Sequence, residues 1–306
     1  MSIRSQDNIM RLVVRKYVEN GALSGPKSVR FEYNYNNSIY IIQIEQCRIR
    51  KIIIEPVGPI SYKDALHVYY CLEDLLELFD GQFFALFDAF EESEEKRTDI
   101  TNAWSQRELS CYESADFMIG SGNVFIDFSK ILNSELLTEW DMLSVELDII
   151  HKMFLYCTSS IKMPVDIKCA LLVEVFEGMM ELLLDRKIIT KKPTIKKGES
   201  KLEKYLVALM NRYGRDIFKH EYDCTEQQIE KLAHILVCSR NRIAHIRRND
   251  ERRYLLKEEN IIYLQKLSVL YRVIIFDVLG IPRDVYLNKT LKKVKSIDDR
   301  KFIAIN

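Results

Sequence analysis

From residue 139 onward, apolar residues recur at helical spacing in segment after segment, and few helix breakers interrupt them. Five helices are predicted on this basis, over residues 139–157, 164–187, 199–214, 225–249 and 257–280. Pro164 stands where a first helical turn tolerates proline, and Gly214 and Gly280 each end a segment. Because the helices are joined by short connections, with a lysine-rich loop at 187–198, we predict an all-α bundle over residues 139–306.

The N-terminal part has a different pattern. Residues 28–55 are rich in β-branched and aromatic side chains, and two polar breaks within them predict three strands. Residues 61–79 keep helical spacing, and Ser61 is placed to cap that helix. A further strand is predicted at 121–129. We therefore expect a small α+β domain over residues 1–138, followed by the all-α domain.

The charges of the chain are divided unevenly between these two parts. Lys+Arg and Asp+Glu each total 45, so the net charge is zero. Residues 1–138 contain 14 basic and 21 acidic side chains, a net of −7, whereas residues 139–306 contain 31 and 24, a net of +7. A basic second part favours contact with a polyanion. Attraction between the two parts is the alternative explanation.

Cysteine usage and hydropathy bear on where the protein works. Seven cysteines occur without any CxxC pair, which favours reduced thiols over a disulfide framework or a zinc ribbon. The first 16 residues lack the apolar run of a secretory signal, and no apolar run approaches the roughly 18 residues of a membrane span. We expect a soluble, cytoplasmic protein. His67, His151 and His220 have no metal-ligand spacing and no nucleotide-binding signature is present, so we expect no metal and no cofactor.

The stretch SRNRIAHIRRND, residues 239–250, concentrates four arginines, a histidine and two asparagines near the end of one predicted helix. On a helical wheel one face of this helix is apolar and is predicted to face the core, with Ile229, Leu232, Leu236, Ile243 and Ile246. The nearly opposite face carries a polar line that is predicted to point away from the bundle, with His234, Cys238, Asn241 and His245. The small residues Ala233 and Ala244 flank this line and would admit a second chain.

Residues Arg240 to His245 have the form R-N-x-x-x-H, with asparagine directly after the arginine. This form resembles the signature of HEPN domains. A long helix, a variable insert, the motif helix and a final apolar helix ending in Leu-Gly-Ile-Pro (279–282) are similar to the ApeA-like branch of that family. The N-terminal strands, followed by SYKDALHVYYCLEDLLELFDGQFF, resemble the ApeA N-terminal module.

This resemblance implies an α-helical, often dimeric domain that cleaves RNA without a metal. Many relatives act in antiviral abortive infection or toxin–antitoxin systems. RNA carries its own nucleophile, the 2′-hydroxyl, and a histidine such as His245 can take or give its proton. The guanidinium of Arg240 can hold the phosphate, and Asn241 can donate to a phosphate oxygen or orient the histidine. We expect these three residues to be catalytic, and we expect Arg242, Arg247 and Arg248 to bind RNA.

The partners expected from this interpretation are RNA, a second copy of the chain bound through the 225–249 helix, and a regulatory or antitoxin protein. The main alternative is a HEPN module that binds RNA or a partner protein without cleaving. In that case the arginines form a solvated face near a helix end, where the helix dipole favours cations. His234 is interpreted as a half-buried interface residue, and Cys238 lacks a base–orienter pattern that would make it a nucleophile. Glu174 and Glu177 either face the motif helix and assist or occupy ordinary surface positions.

Overall fold

We describe the protein from a computed structural model. It describes residues 11–18, 26–58, 61–84, 86–92, 96–102, 124–159, 161–219, 225–245 and 253–299. The chain divides into two compact units, Met1–Val145 and Glu146–Asn306. The first carries the described strands and the second is helical, so the predicted fold class, α+β followed by all-α, is confirmed.

The first unit contains an antiparallel sheet. Its described strands are β1 (Arg11–Tyr17), β2 (Lys27–Tyr35), β3 (Ser38–Gln46), β4 (Ile49–Pro56), β5 (Leu86–Glu92) and β6 (Arg97–Asp99), in the order β2-β3-β4-β1-β5-β6. The predicted strands of residues 28–55 are β2, β3 and β4. Asn36 and Asn37 have φ values of 48° and 61°, the left-handed conformations that a two-residue hairpin turn requires. Strand β1 was not predicted, although it lies between β4 and β5.

Helix α1 (Tyr62–Asp80) begins and ends where the sequence predicts. The Ser61 hydroxyl accepts a hydrogen bond from the Asp64 amide, and Gly81 ends the helix with a φ of 72°. The strand predicted at 121–129 is wrong for the residues that are described there. Residues 124–127 form no strand, and helix α2 (Phe128–Ile131) follows because Asp127 accepts the Ser129 amide as a helix cap.

The helix predicted at 139–157 is two helices, α3 (Ser134–Leu147) and α4 (Ile149–Thr158). Asp148 separates them with a φ of 34°, a conformation that an α-helix does not contain. Trp140 of α3 is fully buried in the first unit, where its indole N–H donates to the Cys71 carbonyl at 2.8 Å. The change to helical spacing at residue 139 therefore precedes the end of the first unit.

The second unit is a helical bundle centred on α5 (Val165–Asp185). Its other described helices are α4, α6 (Lys201–Tyr213), α7 (Arg215–Phe218), α8 (Glu226–Ala244), α9 (Lys257–Val278) and α10 (Arg283–Asp299). Helix α5 packs against α4, α6, α8 and α9. Residues 187–198 contain neither helix nor strand, as predicted, whereas α10 was not predicted. No helix in the described part of the chain is long and apolar enough to cross a membrane.

A buried histidine lies in the core of this bundle. His151 of α4 lies beside the stacked rings of Phe154 and Tyr271, and the Tyr271 hydroxyl lies 3.0 Å from its Nδ1. Burial, together with the nearby Arg272 guanidinium, lowers the pKa of His151 to about 3. The imidazole is therefore neutral in the folded protein throughout the neutral and mildly acidic range.

This histidine predicts a specific acid sensitivity. In the unfolded chain a histidine has a pKa of about 6.5, so the unfolded state binds the proton first. The stabilising contribution is fully present above about pH 6.5 and is lost as pH falls toward 3, by roughly 1.4 kcal/mol per pH unit. We expect His151→Phe to reduce the pH dependence of the free energy of unfolding, measured by urea denaturation between about pH 7 and pH 5.

The matched control is Phe154→Leu, because it changes the same buried group of rings without removing a titratable side chain. The absolute stability of His151→Phe is not the readout, since the substitution also removes the hydrogen-bond partner of the Tyr271 hydroxyl. Equal slopes in the wild type and His151→Phe would contradict the assignment.

Candidate functional site

The motif lies at the C-terminal end of α8. The helix starts with the predicted capping box: the Gln228 amide donates to Thr225 Oγ1 at 3.3 Å, and the Thr225 amide donates to Gln228 Oε1 at 2.9 Å. The helix ends at Ala244, and His245 is its C-cap residue with a φ of −111°. The predicted extension to residue 249 and the core position Ile246 lie outside the described residues, as do Arg247 and Arg248.

Helix α8 buries a wider arc than its apolar face predicts, because it packs against both α5 and α6. Ile229 and Leu236 are fully buried, as predicted. Cys238 was predicted to lie on the outward polar line, but it is only 5% exposed. Ala233 is fully buried, so it does not admit a second chain. The residues of the polar line that reach the surface are His234, Asn241 in part, and His245.

Arg240 is held by two hydrogen bonds. Its Nε donates to Glu174 Oε2 of α5 at 2.7 Å, and its Nη1 donates to Asn241 Oδ1 at 2.9 Å. The side chains of Arg240 and Glu174 are 25% and 36% exposed, so the pair lies at the surface end of the bundle. Two of the three guanidinium nitrogens are therefore held, and the third, Nη2, donates to no residue in the described part of the chain.

His245 is exposed, and its ring makes no hydrogen bond or ion pair with any described residue. It stands five positions after Arg240, which is about 140° around an ideal helix. Asn241 stands four positions before it and is its helical neighbour. The link from Arg240 to Asn241 therefore connects the arginine to the side of the helix on which His245 lies.

Arg242 lies on another side of α8. Its guanidinium carbon is 3.6 Å from the centroid of the Tyr254 ring, a stacked cation–π contact. Arg240 and Arg242 thus have different partners, one a carboxylate and the other an aromatic ring.

A family comparison matches this part of the chain. Residues 149–285 match the family model described as Apea-like HEPN. Residues 149–285 form an Apea-like HEPN domain. The match includes Glu174 and the whole Arg240–His245 motif. HEPN domains are associated with nuclease or other RNA-related roles, and they commonly bind RNA and dimerise. Searches of curated proteins and of solved structures gave no match for this chain.

The structure identifies the partners of two acidic residues, Glu174 and Glu177, whose role the sequence did not decide. Glu174 faces the motif helix and binds Arg240. Glu177 faces Lys201 at 3.0 Å instead. Together with Glu181 they form a row at helical spacing along α5, and Glu181 and Glu177 raise the pKa of Lys201. The spacing of these acidic residues on an otherwise apolar helix can be recognised in the sequence. Which basic residue each of them binds depends on how the helices pack.

Helix α8 also carries a cysteine–histidine pair that the sequence analysis did not find. Cys238 Sγ lies 3.4 Å from His234 Nε2, and His234 Nδ1 lies 3.1 Å from Glu203 Oε2 of α6. The expected lack of a base–orienter pattern at Cys238 is therefore wrong. The side chain of His234 is 54% exposed and is bound to Glu203 of α6. Among the described residues, no group of three or more His, Cys, Asp or Glu side chains is placed to hold a metal ion.

The Arg240–Glu174 contact predicts a spectroscopic effect that is independent of activity. We expect Glu174→Ala to change the chemical shift of the Arg240 Nε–H group and to speed its exchange with water, measured by ¹H–¹⁵N NMR. Glu177→Ala is the matched control, because Glu177 lies one turn away on α5 and binds Lys201. Since the pair is partly exposed, the free energy of unfolding should fall by no more than about 1 kcal/mol. An Arg240 signal that is the same in both variants would contradict the contact.

Proposed function

We propose that the HEPN domain is a metal-independent endoribonuclease that cleaves RNA through the RNA's own 2′-hydroxyl. The observation that carries the proposal is the arrangement at the end of α8: Arg240 fixed on one edge by Glu174, joined to Asn241, with an exposed His245 one turn later. The basic second part of the chain, with a net charge of +7 over residues 139–306, supports contact with a polyanion.

Each group has a distinct role in this mechanism. His245 accepts the proton of the 2′-hydroxyl, whose oxygen attacks the adjacent phosphorus. The bond from phosphorus to the 5′-oxygen breaks, and that oxygen takes up a proton as it leaves. A 2′,3′-cyclic phosphate and a 5′-hydroxyl result. Arg240 binds the phosphate oxygens through the nitrogen that Glu174 and Asn241 leave available, and stabilises their growing charge.

Asn241 has one of its two polar atoms committed. Its Oδ1 accepts from Arg240, so its Nδ2 remains as a donor toward a phosphate oxygen. This contact favours the phosphate-binding role for Asn241 over the role of orienting His245. Glu174 acts through Arg240 and is a positioning residue.

In the cell, we propose that this cleavage serves antiviral abortive infection or a toxin-type defence in the cytoplasm. The first unit, which resembles the ApeA N-terminal module, would regulate or target the HEPN domain, and a regulatory or antitoxin protein would control it. The alternative is a HEPN module that binds RNA or a partner protein without cleavage. Both functions use the arginines of the motif helix, but only cleavage requires His245.

A cleavage assay distinguishes these two functions. We expect His245→Ala and Arg240→Ala to lower the rate of RNA cleavage by about 10²–10⁴-fold, the usual cost of losing a general base or a charge-stabilising group. Tyr156→Leu is the control, because it truncates an exposed side chain of α4, outside the motif helix. Cleavage should persist in EDTA and should leave a 2′,3′-cyclic phosphate and a 5′-hydroxyl, identified by mass spectrometry.

His245 is exposed, so its removal creates no core cavity and should change stability by no more than about 0.5 kcal/mol. A substrate with a 2′-deoxy sugar at the scissile position should resist cleavage. Equal cleavage of that substrate, or full activity of His245→Ala, would exclude the mechanism and leave the binding module.

We also propose a homodimer that uses α8. His234, Ala244 and His245 are exposed along this helix, and a two-fold arrangement would bring a second motif to the same RNA. Multi-angle light scattering of the full chain over a concentration series should give twice the chain mass, 2 × 36.1 = 72.2 kDa. A mass of 36.1 kDa at every concentration would exclude this dimer.

A further inference from the structure

A cleft of about 650 Å³ opens beside the motif, between the C-terminal end of α8, residues 253–256 and the N-terminal end of α9. We call it the α8–α9 cleft. Its apolar walls include Val165, Ile243, Leu256 and Ile261, and its polar lining includes Arg242 and Tyr254. Its volume is within the roughly 300–1,000 Å³ of small-ligand sites. Leu256 and Ile261 are 61% and 38% exposed, so apolar surface is open to solvent at this cleft.

The stacked pair of Arg242 and Tyr254 gives the cleft a flat platform. The guanidinium carbon lies over the ring, 3.6 Å from its centroid, and both side chains are half-buried. Flat cationic and aromatic surfaces of this kind are those on which proteins stack the unpaired bases of RNA.

The segment that carries Tyr254 is tied to both helices. The Leu255 amide donates to Ser239 Oγ of α8 at 2.7 Å, and Ser239 Oγ donates in turn to the Ile235 carbonyl at 2.8 Å. From α9, Asn260 Nδ2 donates to the Leu256 carbonyl at 2.7 Å. These bonds hold the backbone that directly follows the tyrosine, so the platform is formed before a ligand binds.

The charges of the cleft favour a base over a phosphate. Arg242 is its lining cation, and that cation already faces the Tyr254 ring, while the carboxylate of Asp166 also lines the cleft. A phosphate would meet this carboxylate and the apolar walls. A nucleobase is flat, uncharged and able to cover the apolar surface.

We infer that the α8–α9 cleft binds one unpaired nucleobase of an RNA substrate by stacking on the Arg242–Tyr254 platform. Arg242 precedes His245 by three residues, which is slightly less than one helical turn, or about 4.5 Å along the axis. A base held in the cleft would therefore place its ribose-phosphate near the motif, and the domain would cut single strands or loops in preference to duplex. This inference rests on the proposed function and names the form of RNA that its site accepts.

The test uses the full chain with Tyr254→Leu, which removes the ring, and Tyr254→Phe, which keeps it. The matched control is Tyr156→Leu, a partly exposed tyrosine of α4. For a single-stranded RNA oligonucleotide we expect Tyr254→Leu to lower kcat/KM by roughly 10-fold or more, the loss of one base–aromatic stack. Tyr254→Phe and Tyr156→Leu should stay within about twofold of the wild type, since both leave the stack in place.

A series of oligonucleotides with a single abasic residue identifies the base. One abasic position next to the cut site should cost the wild type about the same factor as Tyr254→Leu, and should cost Tyr254→Leu little more, because the stack is already absent. An equal abasic penalty in the wild type and Tyr254→Leu would overturn the inference. Cleavage of a blunt RNA duplex as fast as of the single strand would also overturn it.

Binding separates this inference from the proposed function. In a His245→Ala background, which removes the proposed base, single-stranded RNA containing 2-aminopurine should lose fluorescence on binding as its base stacks. The Tyr254→Leu/His245→Ala double variant should bind about 10-fold more weakly and quench less. If the wild type cuts no RNA but this difference is present, the proposed function fails and the base site stands. If the wild type cuts RNA and the difference is absent, the base site fails alone.

Discussion

The packing of α5 is the constraint on which the rest of the HEPN domain depends. Nearly every turn of this helix is buried, and a helix that is apolar on most sides must be surrounded. It therefore packs against α4, α6, α8 and α9. Gly178 allows α4 to come close, because a Cβ there would lie 2.8 Å from Ile150 Cδ1. The acidic row of α5 begins at Glu174, and this residue joins the core helix to the motif through its bond to Arg240.

The Arg240–Glu174 pair fixes the orientation of the guanidinium and still leaves it accessible to a ligand. A deeply buried pair would lose much of its Coulomb attraction to desolvation, and a fully exposed pair would be screened and mobile. At 25% and 36% exposure, the two side chains lie between these limits. The planar guanidinium can bind Glu174 on one edge and still present another edge to a phosphate, which a lysine ammonium could not do with the same fixed geometry.

A helix or strand could be predicted when the residues that determine it lie close together in the sequence. Helix α1 was predictable because Ser61 and Gly81 are local caps, and β2 and β3 because Asn36 and Asn37 form the turn between them. Strand β1 was not, since its partners are β4 and β5, far along the chain. Helix α10 was missed because it is mostly polar and buries only a few side chains, among them Tyr286, Val294 and Ile297.

The candidate site also contains some features that the sequence predicts and others that depend on the packing of the helices. A local pattern was enough to select Arg240, Asn241 and His245 as candidates. It could not show that Glu174 rather than Glu177 binds the arginine, because that choice depends on the register between α5 and α8. The burial of Cys238 was not predictable either, because α8 packs against both α5 and α6 and a helical wheel of α8 alone shows neither neighbour. Nothing local marks Tyr254, which becomes important only because it stacks on Arg242.

The spacing of the motif gives a physical reason for two copies of it. Residues five apart on a helix point about 140° away from each other, so the side chains of Arg240 and His245 diverge from one α8. Asn241 bridges part of that gap through Arg240, but a single histidine can serve only one of the two proton transfers at a time.

In a two-fold dimer each α8 would face its copy, and the histidine of one protomer could lie opposite the arginine of the other. A single phosphodiester would then have a proton acceptor on one side and a proton donor on the other, with a guanidinium for each non-bridging oxygen. On this argument, dimerisation and cleavage are linked, and a variant that stays monomeric should bind RNA yet cut it poorly.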